Sequence, residues 1–331
     1  MTSQADHNLA ALAETAFRRL GDYESLVFEG RAYRSGELFD RACRVSSGLA
    51  KLGISPGERV VVLMANCPEV GIAYSAIWRA GAVVTPVVFL ISPPELRHIL
   101  ADSGATAVVT TPELLATVTA AAAGTPELRH VIVVGGTPDS LPGHVRGVDF
   151  AELESAPAGG ITGVADDDLA ALMYTGGTTG RAKGVMLSHR NLYYCSRSAH
   201  EASQVEGITR ALTPLPLSHA YGMIVTLVGY HATEQALGVL QRWFDPAEFL
   251  ALAQQHLDHR GHQRHALDPV PLGQGQELRR IEPALKHGQA ALGGVEPGQG
   301  HDHAVGVGQR QRGQRPGDPL GLRGLVRAAG A

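Results

Sequence analysis

Cysteine is scarce in this chain. Its 331 residues hold three, Cys43, Cys67 and Cys195, too scattered and odd in number for a disulfide framework. They fit small buried thiols in a reducing cytoplasm. A long hydrophobic run is also missing, since the longest, Ala80 to Ile91, is interrupted by Thr85 and Pro86. It is too short to cross a bilayer, so no transmembrane segment is expected. Met1 to Glu14 has no basic start followed by an apolar core, which argues against a secretory signal. Charge of one sign is lacking too. A formal net charge of −4 gives no basic field for nucleic acid and no acidic tail. Lysine is nearly absent, with Lys51, Lys183 and Lys286 the only three among 28 basic residues. That bias fits a GC-rich gene and says nothing of function. What remains is 44% hydrophobic, as in a soluble globular protein long enough for one large domain or two ordinary ones.

The absences deepen after Gln255. Residues 257–331 contain no Phe, Tyr, Trp, Met, Cys, Ser, Thr or Asn, and are loaded with Gly, Gln, Arg, His and Pro. A segment so poor in aromatic and branched side chains cannot offset its ordering entropy. Two readings stay open: a disordered, low-complexity tail, or out-of-frame translation of a GC-rich gene. Moving the codons of Leu257–Pro269 forward by one base permits Ser-Thr-Thr-Val-Ala-Thr-Ser-Val-Thr-Pro, a strand-like run. Such a run suits the position after a helix over Asp245–His256. The expected division is therefore 1–256 as a folded part and 257–331 as an aberrant tail.

Residues 1–256 read as alternating strands and helices. Ser35 is expected to cap a helix carrying Leu38, Ala42, Val45, Leu49 and Leu52, with Gly53 as its stop. Arg59–Ala65 and Ala82–Val88 read as buried strands, with a helix through Val70–Trp78 between them. Pro93 and Pro94 open a further helix. Strands follow at Ala105–Thr110, Val131–Val134 and Asp168–Tyr174, and a helix at Leu187–Ala202. This alternation, with continuous apolar strands, argues an α/β fold with a parallel sheet covered on both faces.

The strongest local signal is Thr175-Gly-Gly-Thr-Thr-Gly-Arg-Ala-Lys183, expected between a strand and a helix. Such a turn offers backbone N–H groups to an anion. Gly176, Gly177 and Gly180 let the backbone approach phosphate without a Cβ clash. Thr175, Thr178 and Thr179 add hydroxyl donors, and Lys183 a point charge. Three glycines, three threonines and a lysine in nine positions set it apart from a common surface turn.

This segment, extended to Leu172–His189, resembles the signature of the adenylate-forming (AMP-binding) superfamily: acyl-CoA synthetases, luciferases and peptide-synthetase adenylation domains. Ala182 stands where the family often has proline. Gly57–Glu69, Arg79–Pro86 and Glu95–Gly104 are similar to the family's early blocks, although Val88-Phe89 replaces a common Asn-Pro pair. Pro214-Leu-Pro-Leu-Ser-His-Ala-Tyr-Gly222 resembles the block after the loop. The resemblance implies the N-terminal part of the large ligase domain, with parallel-rich sheets sandwiched by helices. It implies ATP, Mg²⁺ and coenzyme A as co-substrates, and a small carboxylic acid, most like those of fatty-acyl or aryl CoA ligases. By the same resemblance the loop embraces the β- and γ-phosphates, Lys183 and Thr178 act on the departing pyrophosphate, and His219, Tyr221 and Gly222 border the acyl site. It gives no oligomeric state.

Other motifs carry less. Gly53-Ile-Ser-Pro-Gly57 matches a nucleophile elbow but follows a helix, and Pro56 lacks the N–H an oxyanion hole needs, so it reads as a turn. His259, His262 and His265, or His301 and His303, sit in the segment read as aberrant with no thiol or ordered carboxylate nearby, and no metal site is expected. Val133–Gly136 lacks the third glycine of a dinucleotide fingerprint. The family's later tyrosine–glycine–threonine–glutamate and threonine–glycine–aspartate blocks are not found after Gly222, nor is its small C-terminal domain. The expectation is thus an incomplete chain with little or no ligase activity. A non-catalytic ATP-binding fragment and a peptide-synthetase adenylation domain stand as alternatives.

Overall fold

The computed structural model describes residues 7–138, 140–176, 181–203 and 209–263. In chain order these begin with α1 (Leu9–Leu20), β1 (Glu24–Phe28), β2 (Arg31–Arg34), α2 (Ser35–Lys51), β3 (Arg59–Leu63), α3 (Pro68–Arg79) and β4 (Val83–Pro86). There follow α4 (Pro93–Ser103), β5 (Ala107–Thr110), α5 (Leu115–Ala122), β6 (His130–Val133), β7 (Arg146–Asp149) and α6 (Phe150–Glu154). Next come β8 (Leu169–Thr175), β9 (Lys183–Ser188), α7 (His189–Ser203), β10 (Arg210–Thr213), α8 (Ala220–His231), β11 (Leu237–Leu240) and α9 (Pro246–Gln263). The chain divides after Ala266, and the described residues all belong to its first unit.

Valine-rich runs without polar alternation become strands buried on both faces. A seven-stranded sheet runs β7-β6-β5-β3-β4-β8-β9, parallel throughout except for the antiparallel β8–β9 pair. Alternate residues of one strand enter different cores because side chains point to opposite faces. Val60, Val62, Val84 and Val109 pack with the helices α2 and α3, while Val61, Leu63, Val108 and Val131 pack under α4 and α5. The expected α/β architecture with parallel-rich sheets covered by helices is what forms. A second, four-stranded sheet runs β10-β11-β1-β2. Phe28, Tyr33 and Leu240 from it share the first of those cores. No described helix is long and apolar enough to cross a membrane.

Several local expectations change. Ser35 does not cap α2; Arg34 occupies the cap position without a side-chain bond. The Ser35 hydroxyl instead donates to Gly21 O at 2.9 Å and accepts from Tyr23 N at 3.1 Å, tying the strand pair to α2. Gly53 ends that helix with φ of 82°, as its sequence position suggested. The helix expected from Leu187 begins at His189, after a strand that the sequence reading did not foresee. At the other end, α9 continues past residue 256 to Gln263. Residues 264–331, most of the segment expected to be aberrant, lie outside the described residues.

Candidate functional site

The glycine-threonine segment joins β8 to β9, two antiparallel strands, and not a strand to a helix. That corrects the expected strand–loop–helix turn. An anion here would meet no helix N-terminus directly after the loop. Thr175 pairs directly with Lys183, Tyr174 with Gly184, and Met173 with Val185. Directly opposed residues place their Cβ atoms about 5 Å apart on one face. Thr175 and Lys183 therefore stand on one face as the last described pair of the hairpin. Both are exposed, as is Gly176, and among the described residues Lys183 has no ion-pair partner. Gly177, Thr178, Thr179 and Gly180 lie outside the described residues.

Tyr174 donates its hydroxyl to Asp102 at 2.6 Å. Burial, then the adjoining carboxylate, pushes that phenol above its ordinary range. The cross-strand partner Gly184 packs closely against Tyr174 and Leu172. A Cβ on Gly184 would lie 2.9 Å from Leu172 Cδ1 and 3.3 Å from Tyr174 Cζ.

The second expected block, Pro214–Gly222, turns from β10 into α8. His219 is the N-cap of α8, its Nδ1 accepting from Tyr221 N at 3.3 Å. His219 is exposed and Tyr221 is 58% exposed. Gly222 is buried, and its role is close packing: a Cβ there would lie 2.0 Å from Pro216 O and 2.7 Å from Leu217 Cα.

Sequence reasoning missed what holds this block. Asn66, just beyond β3, is 3% exposed. Its Nδ2 donates to Leu215 O and Gln241 O, both at 2.9 Å, and its Oδ1 accepts from Leu217 N at 2.8 Å. Tyr74 of α3 donates to Leu217 O at 3.1 Å, and Trp78 of the same helix donates to Ala170 O of β8 at 3.0 Å. One helix thus touches the second block and the strand that leads into the first. β3 and β8 flank β4 in the parallel part of the sheet, two strand spacings or about 10 Å apart. Their carboxyl ends share an edge, the usual place for ligands in such sheets. Asn66 lay inside a quoted motif, but nothing in its spacing announced a bridge to residues about 150 positions away.

An apolar cavity of about 560 Å³ runs along α8 and the four-stranded sheet, lined by Phe17, Leu38, Cys67, Ile72, Tyr221 and Ile224 among others. Among the described residues none of its lining belongs to the hairpin. The thiol of Cys67 at its wall is pushed up to about 12 by burial, which leaves it inert.

The AMP-binding enzyme family matches residues 12–257. Feruloyl-CoA synthase of Amycolatopsis sp is 36% identical over 230 residues, spanning 68% of this chain and 42% of that protein. 4-Coumarate–CoA ligase 5 of Oryza sativa subsp. japonica is 34% identical over 257 residues, spanning 74% and 46%. The crystal structure of ATP-bound MatB from Rhodopseudomonas palustris superposes with a TM-score of 0.63 at 27% identity, covering 76% of this chain and 48% of that one. The chain spans less than half the length of these curated relatives.

Proposed function

Because the chain belongs to the AMP-binding enzyme family across residues 12–257, we propose that it is part of an ATP-dependent ligase joining a carboxylic acid to coenzyme A through an acyl-adenylate. The observation that carries this reading is the opposition of Thr175 and Lys183 at the mouth of a glycine-rich hairpin on the ligand-side edge of the sheet. A free carboxylate is a poor acyl donor because its leaving group would be oxide. In the first step its oxygen attacks the α-phosphorus of ATP, and pyrophosphate leaves. In the second the coenzyme A thiol attacks the acyl carbon, and AMP leaves.

Thr175, Gly176, Gly177, Thr178, Thr179, Gly180 and Lys183 are assigned to the β- and γ-phosphates. Lys183 and Thr178 stabilise the charge that develops on departing pyrophosphate and hold the α-phosphorus for in-line attack. Among the described residues no group of three His, Cys, Asp or Glu stands ready to hold a metal. In this reading Mg²⁺ enters on the nucleotide's own phosphates. His219 and Tyr221 border the acid, with Gly222 shaping the turn behind them, and the apolar cavity reached by Tyr221 takes the acid's hydrophobic part. Aromatic and fatty acids both suit such walls.

The family's adenine- and ribose-side blocks are not found after Gly222. We therefore expect this polypeptide to bind MgATP yet release little pyrophosphate, in the cytoplasm as elsewhere. The test is pyrophosphate release with MgATP and ferulate, 4-coumarate or fatty acids. Robust turnover would refute the incompleteness, and absence of any MgATP binding would refute the ligase reading itself. Binding without release is the outcome expected of this chain, and it leaves the polypeptide a nucleotide-binding but non-catalytic part of such a ligase. The division into 1–256 and an out-of-frame 257–331 is settled by the gene's nucleotide sequence, where an intact single frame would leave only a low-complexity tail.

A further inference from the structure

The two arms of the hairpin are held by one helix. His98 and Asp102, four residues apart on α4, face the same side of it. Asp102 accepts from the Tyr174 hydroxyl on the incoming arm at 2.6 Å. His98 Nε2 lies 2.9 Å from Ala182 O on the outgoing arm, and since a carbonyl only accepts, the imidazole donates. The rings of His98 and Tyr174 meet edge to face at 6.5 Å. The helix is a firm base: Ser92 and Glu95 form a capping box at its start, and Leu96, Ile99 and Leu100 are buried beneath it. Gly184, across the ladder, lies close to the same ring: a Cβ there would stand 3.3 Å from Tyr174 Cζ.

We propose that His98 and Asp102 are positioning residues that fix the separation of Tyr174 and Ala182, the two arms between which the pyrophosphate end of a nucleotide is held. The proposal rests on the ligase reading for its ligand and on these contacts for its geometry. A loop with three glycines loses much conformational freedom on ordering, and anchoring both ends removes part of that cost before binding. One lost hydrogen bond corresponds to a change of up to about tenfold.

The test uses the full chain and four proteins: wild type, His98→Ala, His98→Gln and Tyr174→Phe. Without ligand, amide hydrogen exchange across residues 174–184 should quicken by up to about tenfold in His98→Ala and Tyr174→Phe, with β3 and β5 unchanged. His98→Gln, whose amide N–H still reaches a carbonyl, should restore slow exchange. Titration with MgATP should show the same order of weakening, while AMP, which lacks the β- and γ-phosphates, should bind all four alike. Unchanged exchange in His98→Ala overturns the proposal, as does equal weakening of AMP and MgATP. Quickened exchange in a chain whose wild type binds no MgATP overturns the phosphate role and with it the ligase reading, while the clamp itself remains.

Discussion

At the scale of single residues, two glycines of α8 separate packing from propensity. Gly222 lies against the backbone of Pro216 and Leu217, with no room for a methyl group, while Gly229 has nothing within 4 Å. Replacing Gly222 by alanine forces backbone apart and should cost about 1–3 kcal/mol or more. Replacing Gly229 by alanine should stabilise by about 0.5–1 kcal/mol, since alanine is the better helix former. Urea midpoints of the two variants should move in opposite directions; a shared direction would mean the α8 turn does not pack as described. The thiols divide in the same way. Cys195 is exposed, and Cys43 and Cys67 are buried. At pH 8 an alkylating reagent should modify Cys195 in the native protein, and the other two only after denaturation. Mass spectrometry of the peptides reads this directly. The sequence announced His219 and Gly222 as members of one motif, but the capping bond of the first and the backbone contact of the second depend on how Pro214–Leu217 turns. No local pattern carries that.

At the scale of elements, legibility followed burial. The valine runs of β3, β5 and β6 were plain because strands covered on both faces show no polar alternation. The start of α4 was plain because Pro93 and Pro94 suit a first helical turn, whereas the Ser92–Glu95 capping box there was seen only in the structure. Ser92→Ala should therefore lower stability by about 1 kcal/mol and, if α4 anchors the hairpin, quicken exchange at residues 174–184 as well. Stability loss without the exchange change would separate the helix from the loop. By contrast β9 was misread. Its exposed Lys183, Val185 and Met186 keep no strict alternation, and only pairing with β8 makes it a strand. The four-stranded sheet was missed for a related reason. Its members have four or five residues, and β1 pairs in parallel with β11 more than 200 residues later. Short strands completed by distant partners leave little trace in a local window.

At the scale of the whole molecule, buried and half-buried histidines set how stability responds to acid. His130 at the head of β6 is held below its ordinary pKa chiefly by burial, then by the neighbouring Arg129. His231 at the end of α8 is lowered by burial, then by His200 and Arg197. A histidine with a depressed folded pKa is neutral in the native state where the unfolded chain already takes up a proton. Above about pH 6.5 both states are neutral there and the group contributes no slope. As pH falls through 6.5 the unfolded chain binds more protons, so stability declines until the folded pKa is reached. Each such group adds at most about 1.4 kcal/mol per pH unit to that decline. Carboxylates held low by arginine, such as Glu29 beside Arg242, act in a separate and more acidic window. Stability from urea unfolding should thus fall between pH 7 and 5, and the fall should be shallower in His130→Asn and in His231→Asn. Identical slopes in wild type and both variants would show that neither imidazole is kept neutral by the fold, and the acid response would then belong to the carboxylates alone.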